Sequence, residues 1–146
     1  MNYIVFDLEF NHDTSSVKSP LKEGLKPPFE IIQIGAIKLD SSFNLLGSFN
    51  SYINPTIYSE INPFITELTG IPVEEKKKKK KFPEVFESFI SFIGEEEYTF
   101  CTWGPSDMKE LYRNVEFHKL DTRALSKKFI DIQPYASKLL GLPSKN

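Results

Sequence analysis

The sequence predicts an α/β domain built on a mixed sheet, and three observations carry that prediction. Apolar runs rich in β-branched and aromatic residues come first and are joined by turns, later extended runs alternate with amphipathic ones, and Gly70 with Pro72, Gly94, Gly104-Pro105 and Gly141 with Pro143 mark where runs end. Hairpin-linked strands followed by crossover-linked strands give a sheet with both antiparallel and parallel neighbours. A length of 146 residues suits one domain around a single core.

The elements follow in order. Tyr3 to Phe10 is short, mostly apolar and bounded by polar chain, which predicts a buried strand. Asn11 to Pro28 is a loop, because Pro20, Gly24, Pro27 and Pro28 block regular structure. Phe29 to Leu39 is an Ile-rich strand, Asp40-Ser41-Ser42 a turn, and Leu45 to Ile53 the returning strand of a meander. Asn62-Pro63 starts a short helix over Phe64 to Thr69, which Gly70 and Pro72 stop. Phe82 to Ile93 is an amphipathic helix with Pro83 in its first turn and Val85, Phe86, Phe89, Ile90 and Ile93 on one stripe. Tyr98 to Trp103 is extended, Gly104-Pro105 turns the chain, and Ser106 to Glu116 is helical. Phe129 to Ile132 is a last short strand, and a final helix runs over Tyr135 to Leu140.

Composition narrows the function classes. A net charge of −2 gives no global basic field, so any contact with a polyanion is local. The single cysteine, Cys101, excludes an internal disulfide framework and, with no basic, apolar leader at the start, leads us to expect a reducing, cytoplasmic setting. Asp7 and Glu9 interrupt the first apolar run, the others are shorter still, and no membrane partner is expected. Glu74-Glu75 and the six lysines Lys76 to Lys81 form the only low-complexity stretch. Like charges in a block repel and stay solvated, which makes a link between elements, while the same lysines would also serve as a basic arm for phosphates. Tyr3, Trp103 and the thirteen Phe, at strand and helix spacing, read for the most part as core rather than as base-stacking platforms.

The chemistry is concentrated in acids. Asp7 and Glu9 are two apart in a predicted strand, so both carboxylates share one face near its end, and their repulsion is costly unless a cation lies between them. Solvation of one acid and pairing of the other with a lysine would also account for a bare Asp-x-Glu. Trp103-Gly104-Pro105-Ser106-Asp107 adds a third acid just past another strand, where a helix start alone would also favour it. Ends of neighbouring parallel strands form the usual ligand crevice of an α/β sheet, and three hard oxygen donors there suit Mg²⁺ or Mn²⁺.

Four segments in order resemble a known family. Phe6-Asp7-Leu8-Glu9-Phe10, Glu30-Ile31-Ile32-Gln33-Ile34-Gly35-Ala36, Asn62 to Ile71 and Trp103 to Asp107 are similar to the motifs of the DEDDh 3′ to 5′ exonucleases, the group of ribonuclease T and the DNA polymerase III proofreading subunit. The strand containing Glu30 is most similar to the histone-mRNA exonuclease branch. The resemblance implies a ribonuclease H-like mixed five-stranded sheet flanked by helices, and two divalent cations, Mg²⁺ or Mn²⁺, held by Asp7, Glu9 and Asp107 as metal and catalytic residues, with Asp7 shared. It further implies a single-stranded RNA or DNA 3′ end as partner, release of nucleoside 5′-monophosphates, and contact of Phe10, Leu68, Thr69 and Gly70 with the terminal nucleotide. Two ions about 4 Å apart lower the pKa of an attacking water and stabilise the leaving oxygen, which is why such a site is made of carboxylates.

The chain departs from the family pattern in its last part. A third motif, with a His general base a few residues ahead of a fourth metal-binding Asp, is missing: His12 lies just after the first acid pair, His118 precedes the last strand with Asp121 three residues on, and Asp131 matches a position ahead of that motif. The expectation is therefore a single exonuclease-like domain over residues 1–146, truncated at its C-terminus and weak or inactive as it stands, since a general base contributes about 10² to 10⁴-fold. Two other functions fit the same residues. A degenerate relative would bind nucleic acid or protein without metal, and an endonuclease on the same fold would cut circular substrate.

Overall fold

In the computed structural model, which describes residues 1–11, 29–57 and 80–143, the opening apolar run forms strand β1, Asn2–Asn11. Strand β2, Glu30–Leu39, returns antiparallel to it and β3, Leu45–Tyr52, antiparallel to β2. The turn between them is built by Asp40, whose carboxylate accepts the backbone N–H of Ser42 and of Asn44, each at 2.9 Å. Helix α1, Phe82–Ile93, carries the chain over to β4, Tyr98–Thr102, which lies parallel to β1. Helix α2, Ser106–Phe117, a 3₁₀ turn at Thr122–Ala124 and the short parallel strand β5, Phe129–Asp131, precede helix α3, Ile132–Leu139. The sheet order is β3-β2-β1-β4-β5, the mixed five-stranded arrangement expected.

Alternation along β1 sets the layers. Ile4, Phe6 and Leu8 point to one face, where with Ile34, Ala36 and Phe100 they meet Val85, Phe86, Phe89 and Ile93 of α1 and Met108, Leu111 and Val115 of α2. Phe89 is fully buried, with ring centroids 6.1 Å from Phe6, 5.4 Å from Phe49 and 6.4 Å from Phe100. Phe6, Phe82, Phe86, Phe89 and Phe100 are buried as expected, whereas Phe29, Phe43, Phe129 and Trp103 are exposed, at chain turns and sheet edges rather than in the core. Tyr3, Val5, Asp7 and Glu9 point to the opposite face, on which Asp7 and Ile37 are exposed.

Strand and helix ends fall within a residue or two of the sequence reading except at the C-terminal side. There β5 stops at Asp131 and α3 begins at Ile132, three residues earlier than the periodicity predicts, because the Asp131 side chain accepts the Gln133 N–H and caps the helix. Pro134 falls inside the first turn, where its missing N–H costs nothing. The predicted helix over Phe64 to Thr69, the loop after Asn11 and Lys76 to Lys79 lie outside the described residues. Lys80 and Lys81 are exposed, and the backbone carbonyl of Lys80 accepts the Asn54 N–H at 2.9 Å. No helix among the described residues is long and apolar enough to cross a membrane.

Candidate active site

β1 outruns β4. Their pairing ends at Val5 with Cys101, and β4 stops at Thr102, so among the described residues the last residues of β1 have no strand beside them on that side. The chain leaves β4 through Gly104, whose φ of 83° is left-handed and favours glycine. Two bonds fix this turn: Thr102 Oγ1 donates to the Gly104 carbonyl at 2.7 Å, and the Gly104 N–H donates to Asp131 Oδ1 at 2.9 Å. The turn delivers the first residues of α2 to the free side of β1. Although Asp107 lies in the first helical turn, no side chain caps α2. The Asp107 carboxyl faces β1 instead, close enough to the Asp7 carboxyl and the Leu8 N–H for both to act on its pKa.

The electrostatics record the crowding. Asp107 is 8% exposed, and its pKa is pushed up to about 7, first by burial, then by the nearby Asp7 carboxyl, with Glu9 adding to the rise and the Leu8 N–H opposing it. Burial also raises Glu9, with the charge of Asp7 adding to it. No Lys, Arg or His forms an ion pair with any of the three among the described residues. Three oxygen-donor carboxylates on one crevice, two of them held toward the protonated form, are the donor chemistry that a hard divalent cation suits. The described residues contain no group of three His, Cys, Asp or Glu side chains already closed around one ion position. The fold therefore gathers Asp7, Glu9 and Asp107 without forming a finished cage.

The remaining residues named from sequence divide. Phe10 is half-buried beside Glu9, its ring 6.2 Å from that of Phe29, whereas Leu68, Thr69 and Gly70 lie outside the described residues, as does His12. His118 caps the far end of α2, about 16 Å along the axis from Asp107, stacked 5.0 Å from Phe82, and burial lowers its pKa. It is a packing residue, in agreement with its failure to fit the general-base pattern.

Sequence reasoning missed the residues that hold α2 in place. Asn114 Oδ1 accepts the Ile31 N–H at 3.1 Å, its Nδ2 donates to the Phe29 carbonyl at 2.8 Å, and Glu110 Oε2 accepts the Phe29 N–H at 3.1 Å. Glu110, buried like Asn114, also pairs with Arg113 at 2.8 Å. The signal was a stripe of polar residues at 107, 110 and 114, which share one helical face with buried Leu111. Asp107 thus meets the end of β1 while Glu110 and Asn114 meet the start of β2. Glu30, also buried, accepts the N–H groups of Thr56 and Ile57 and anchors the chain leaving β3.

Comparison with known proteins extends this picture. Residues 4–141 match the RNase T family model, described as exonuclease. The 3′-5′ exoribonuclease 1 of Rattus norvegicus is 29% identical over 112 residues, 71% of this chain and 32% of that protein. The chain spans about a third of the length of such relatives. Among solved structures, the nuclease domain of 3′hExo, a DEDDh family member bound to rAMP, superposes with a TM-score of 0.75 at 24% identity, covering 97% of this chain and 72% of that one. Exonuclease I of E. coli in complex with a dT13 oligonucleotide gives a TM-score of 0.68 at 16% identity, covering 95% and 29% of the two chains. At these identities the structural likeness concerns the fold, which is that of ribonuclease H-like exonucleases.

Proposed function

The chain belongs to the RNase T exonuclease family, and from that premise we propose that it hydrolyses phosphodiester bonds from the 3′ end of single-stranded RNA or DNA, releasing nucleoside 5′-monophosphates, with Asp7, Glu9 and Asp107 as the metal-holding residues. The observation that carries this reading is the convergence of Asp107 on Asp7 and Leu8, with Glu9 close enough to raise its pKa further. A lone helix-start acid would cap its helix; this one is turned away from the helix, toward two other acids. Relatives named as 3′-5′ exoribonucleases support the direction of attack, and neighbours bound to a nucleotide and an oligonucleotide support the substrate class.

The roles follow from position. Asp7, exposed on the open face, is the carboxylate best placed to be shared between two ions. Glu9, two residues on, and Asp107, from across the strand end, complete the donors, and side-chain rotation closes them. Bound divalent ions, Mg²⁺ or Mn²⁺, supply activation of the attacking water and stabilisation of the leaving oxygen. The protein holds the acids in register through the Gly104 turn and the α2 bonds to β2, while Phe10, and with it Leu68, Thr69 and Gly70, contacts the terminal nucleotide.

A linear single-stranded oligonucleotide labelled at its 5′ end, incubated with a large excess of the chain and Mn²⁺, should shorten stepwise and slowly, in keeping with the weak activity expected from the sequence. Asp7→Ala and Asp107→Ala should abolish the shortening, as should a chelator, and a circular strand should stay intact. Cleavage of circles would instead indicate an endonuclease, and binding that survives chelator and Asp7→Ala without any cleavage would indicate a binding module.

A further inference from the structure

Among the described glycines, Gly94, Gly104 and Gly141 have left-handed φ values of 79°, 83° and 65°, while a Cβ on Gly47 would make ordinary van der Waals contact with Phe92 at 3.5 Å. Gly35 differs from both. It lies inside β2 with no left-handed φ, and among the described residues a Cβ there would meet nothing within 4 Å. Glycine in a strand interior weakens the sheet, because it gives up side-chain packing and costs more chain entropy.

Its position in the register supplies the reason. Gly35 pairs with Asp7 on one side and Asn50 on the other, so these three residues form one row across the open face. Directly opposed residues have Cβ atoms about 4.5–5.5 Å apart, so a side chain at 35 would rise from the open face beside Asp7 without touching it. The next row is Glu9, Gln33 and Tyr52, and the Gln33 side-chain amide donates to Asn50 Oδ1 at 2.9 Å, which ties the two amides to each other beside the gap. Asp107 occupies the β4 side of Asp7. A nucleotide whose phosphate lies at the acids then has the β2 side for its sugar.

We propose that Gly35 is a space-keeping residue of the substrate site, its missing side chain leaving the floor on which the sugar adjoining the scissile phosphate lies. The inference rests on the exonuclease reading above, and the test separates the two. In the full chain, Gly35→Ala and Gly35→Val are compared with the parent for thermal midpoint, Mn²⁺ binding, and binding of adenosine 5′-monophosphate and of inorganic phosphate in the presence of Mn²⁺. The midpoint should hold or rise from Gly to Ala to Val, because strand propensity rises in that order. Binding of Mn²⁺ and of inorganic phosphate should stay as in the parent, while the nucleotide binds more weakly at each step, by at least about tenfold for Val. Undiminished nucleotide binding by Gly35→Val overturns the inference alone. A midpoint lowered by Val also overturns it, since the space would then belong to the protein's own packing. A parent chain that binds neither Mn²⁺ nor the nucleotide overturns the exonuclease reading and the inference with it.

Discussion

On one side of β1, Ile4, Phe6 and Leu8 are 0%, 3% and 4% exposed and lie under α1 and α2; on the other, Asp7 is open to solvent and Glu9 half-open beside Asp107. The same strand supplies both, because successive side chains of a strand alternate. The packed face holds the molecule together through area and shape. The open face holds like charges at close quarters and, without a cation, opposes folding. Changes on the first should therefore lower stability and leave the chemistry of surviving molecules intact, while changes on the second should spare or raise stability and remove function.

The largest expected effect is on the packed face. Phe89→Ala removes the ring around which Phe6, Phe49 and Phe100 are grouped and should cost about 3–5 kcal/mol in denaturant unfolding. Next comes Asn114→Ala at the junction of the faces, which strips partners from the Ile31 N–H and the Phe29 carbonyl and should cost about 1–3 kcal/mol. If α2 positions Asp107, this variant should also bind Mn²⁺ more weakly at temperatures where it is fully folded, which calorimetry would detect.

Asp107→Asn should act in the opposite direction. The folded-state pKa of Asp107, about 7, lies above that of an unfolded carboxyl, so the folded chain binds this proton more tightly. Its influence is harmless below about pH 4 and increasingly destabilising as the pH rises through about 7. Glu9, also raised, adds in the same sense, while Asp40 and Asp121, held low by hydrogen bonds from Asn44 and Arg123, work the other way. The difference between parent and variant isolates Asp107: equal midpoints in acid, and a more stable variant at pH 8 by on the order of a few degrees. A variant less stable than the parent at pH 8 would mean that Asp107 is a structural acid. The smallest effect belongs to exposed Lys80 and Lys81, whose change to Ser should alter stability by less than about 0.5 kcal/mol and lessen the salt dependence of oligonucleotide binding.

The contrast between the faces explains what could be read from sequence. Alternation in β1, the stripe on α1 and the Gly104-Pro105 break are local signals, and they located the strands, the helix and all three acids. The bonds from Glu110 and Asn114 to Phe29 and Ile31 join residues more than eighty apart in the chain, and no local pattern encodes such a partner. The early start of α3 was missed for a related reason: Asp131 is both the cap of that helix and an acceptor for Gly104, a double role that appears only once β4 and β5 are side by side. Gly35 was legible as a residue of the strand, but its meaning depends on the register that sets it against Asp7.

The most direct test of the proposed metal-holding face is thermal unfolding of the chain from pH 5 to pH 8 with and without Mn²⁺, for the parent and Asp107→Asn. If Asp7, Glu9 and Asp107 hold divalent ions in competition with a proton, Mn²⁺ should raise the parent's midpoint by an amount that grows as the pH passes about 7, and Asp107→Asn should lose most of that rise. A parent midpoint indifferent to Mn²⁺ at pH 8, or an equal rise in the variant, would contradict it.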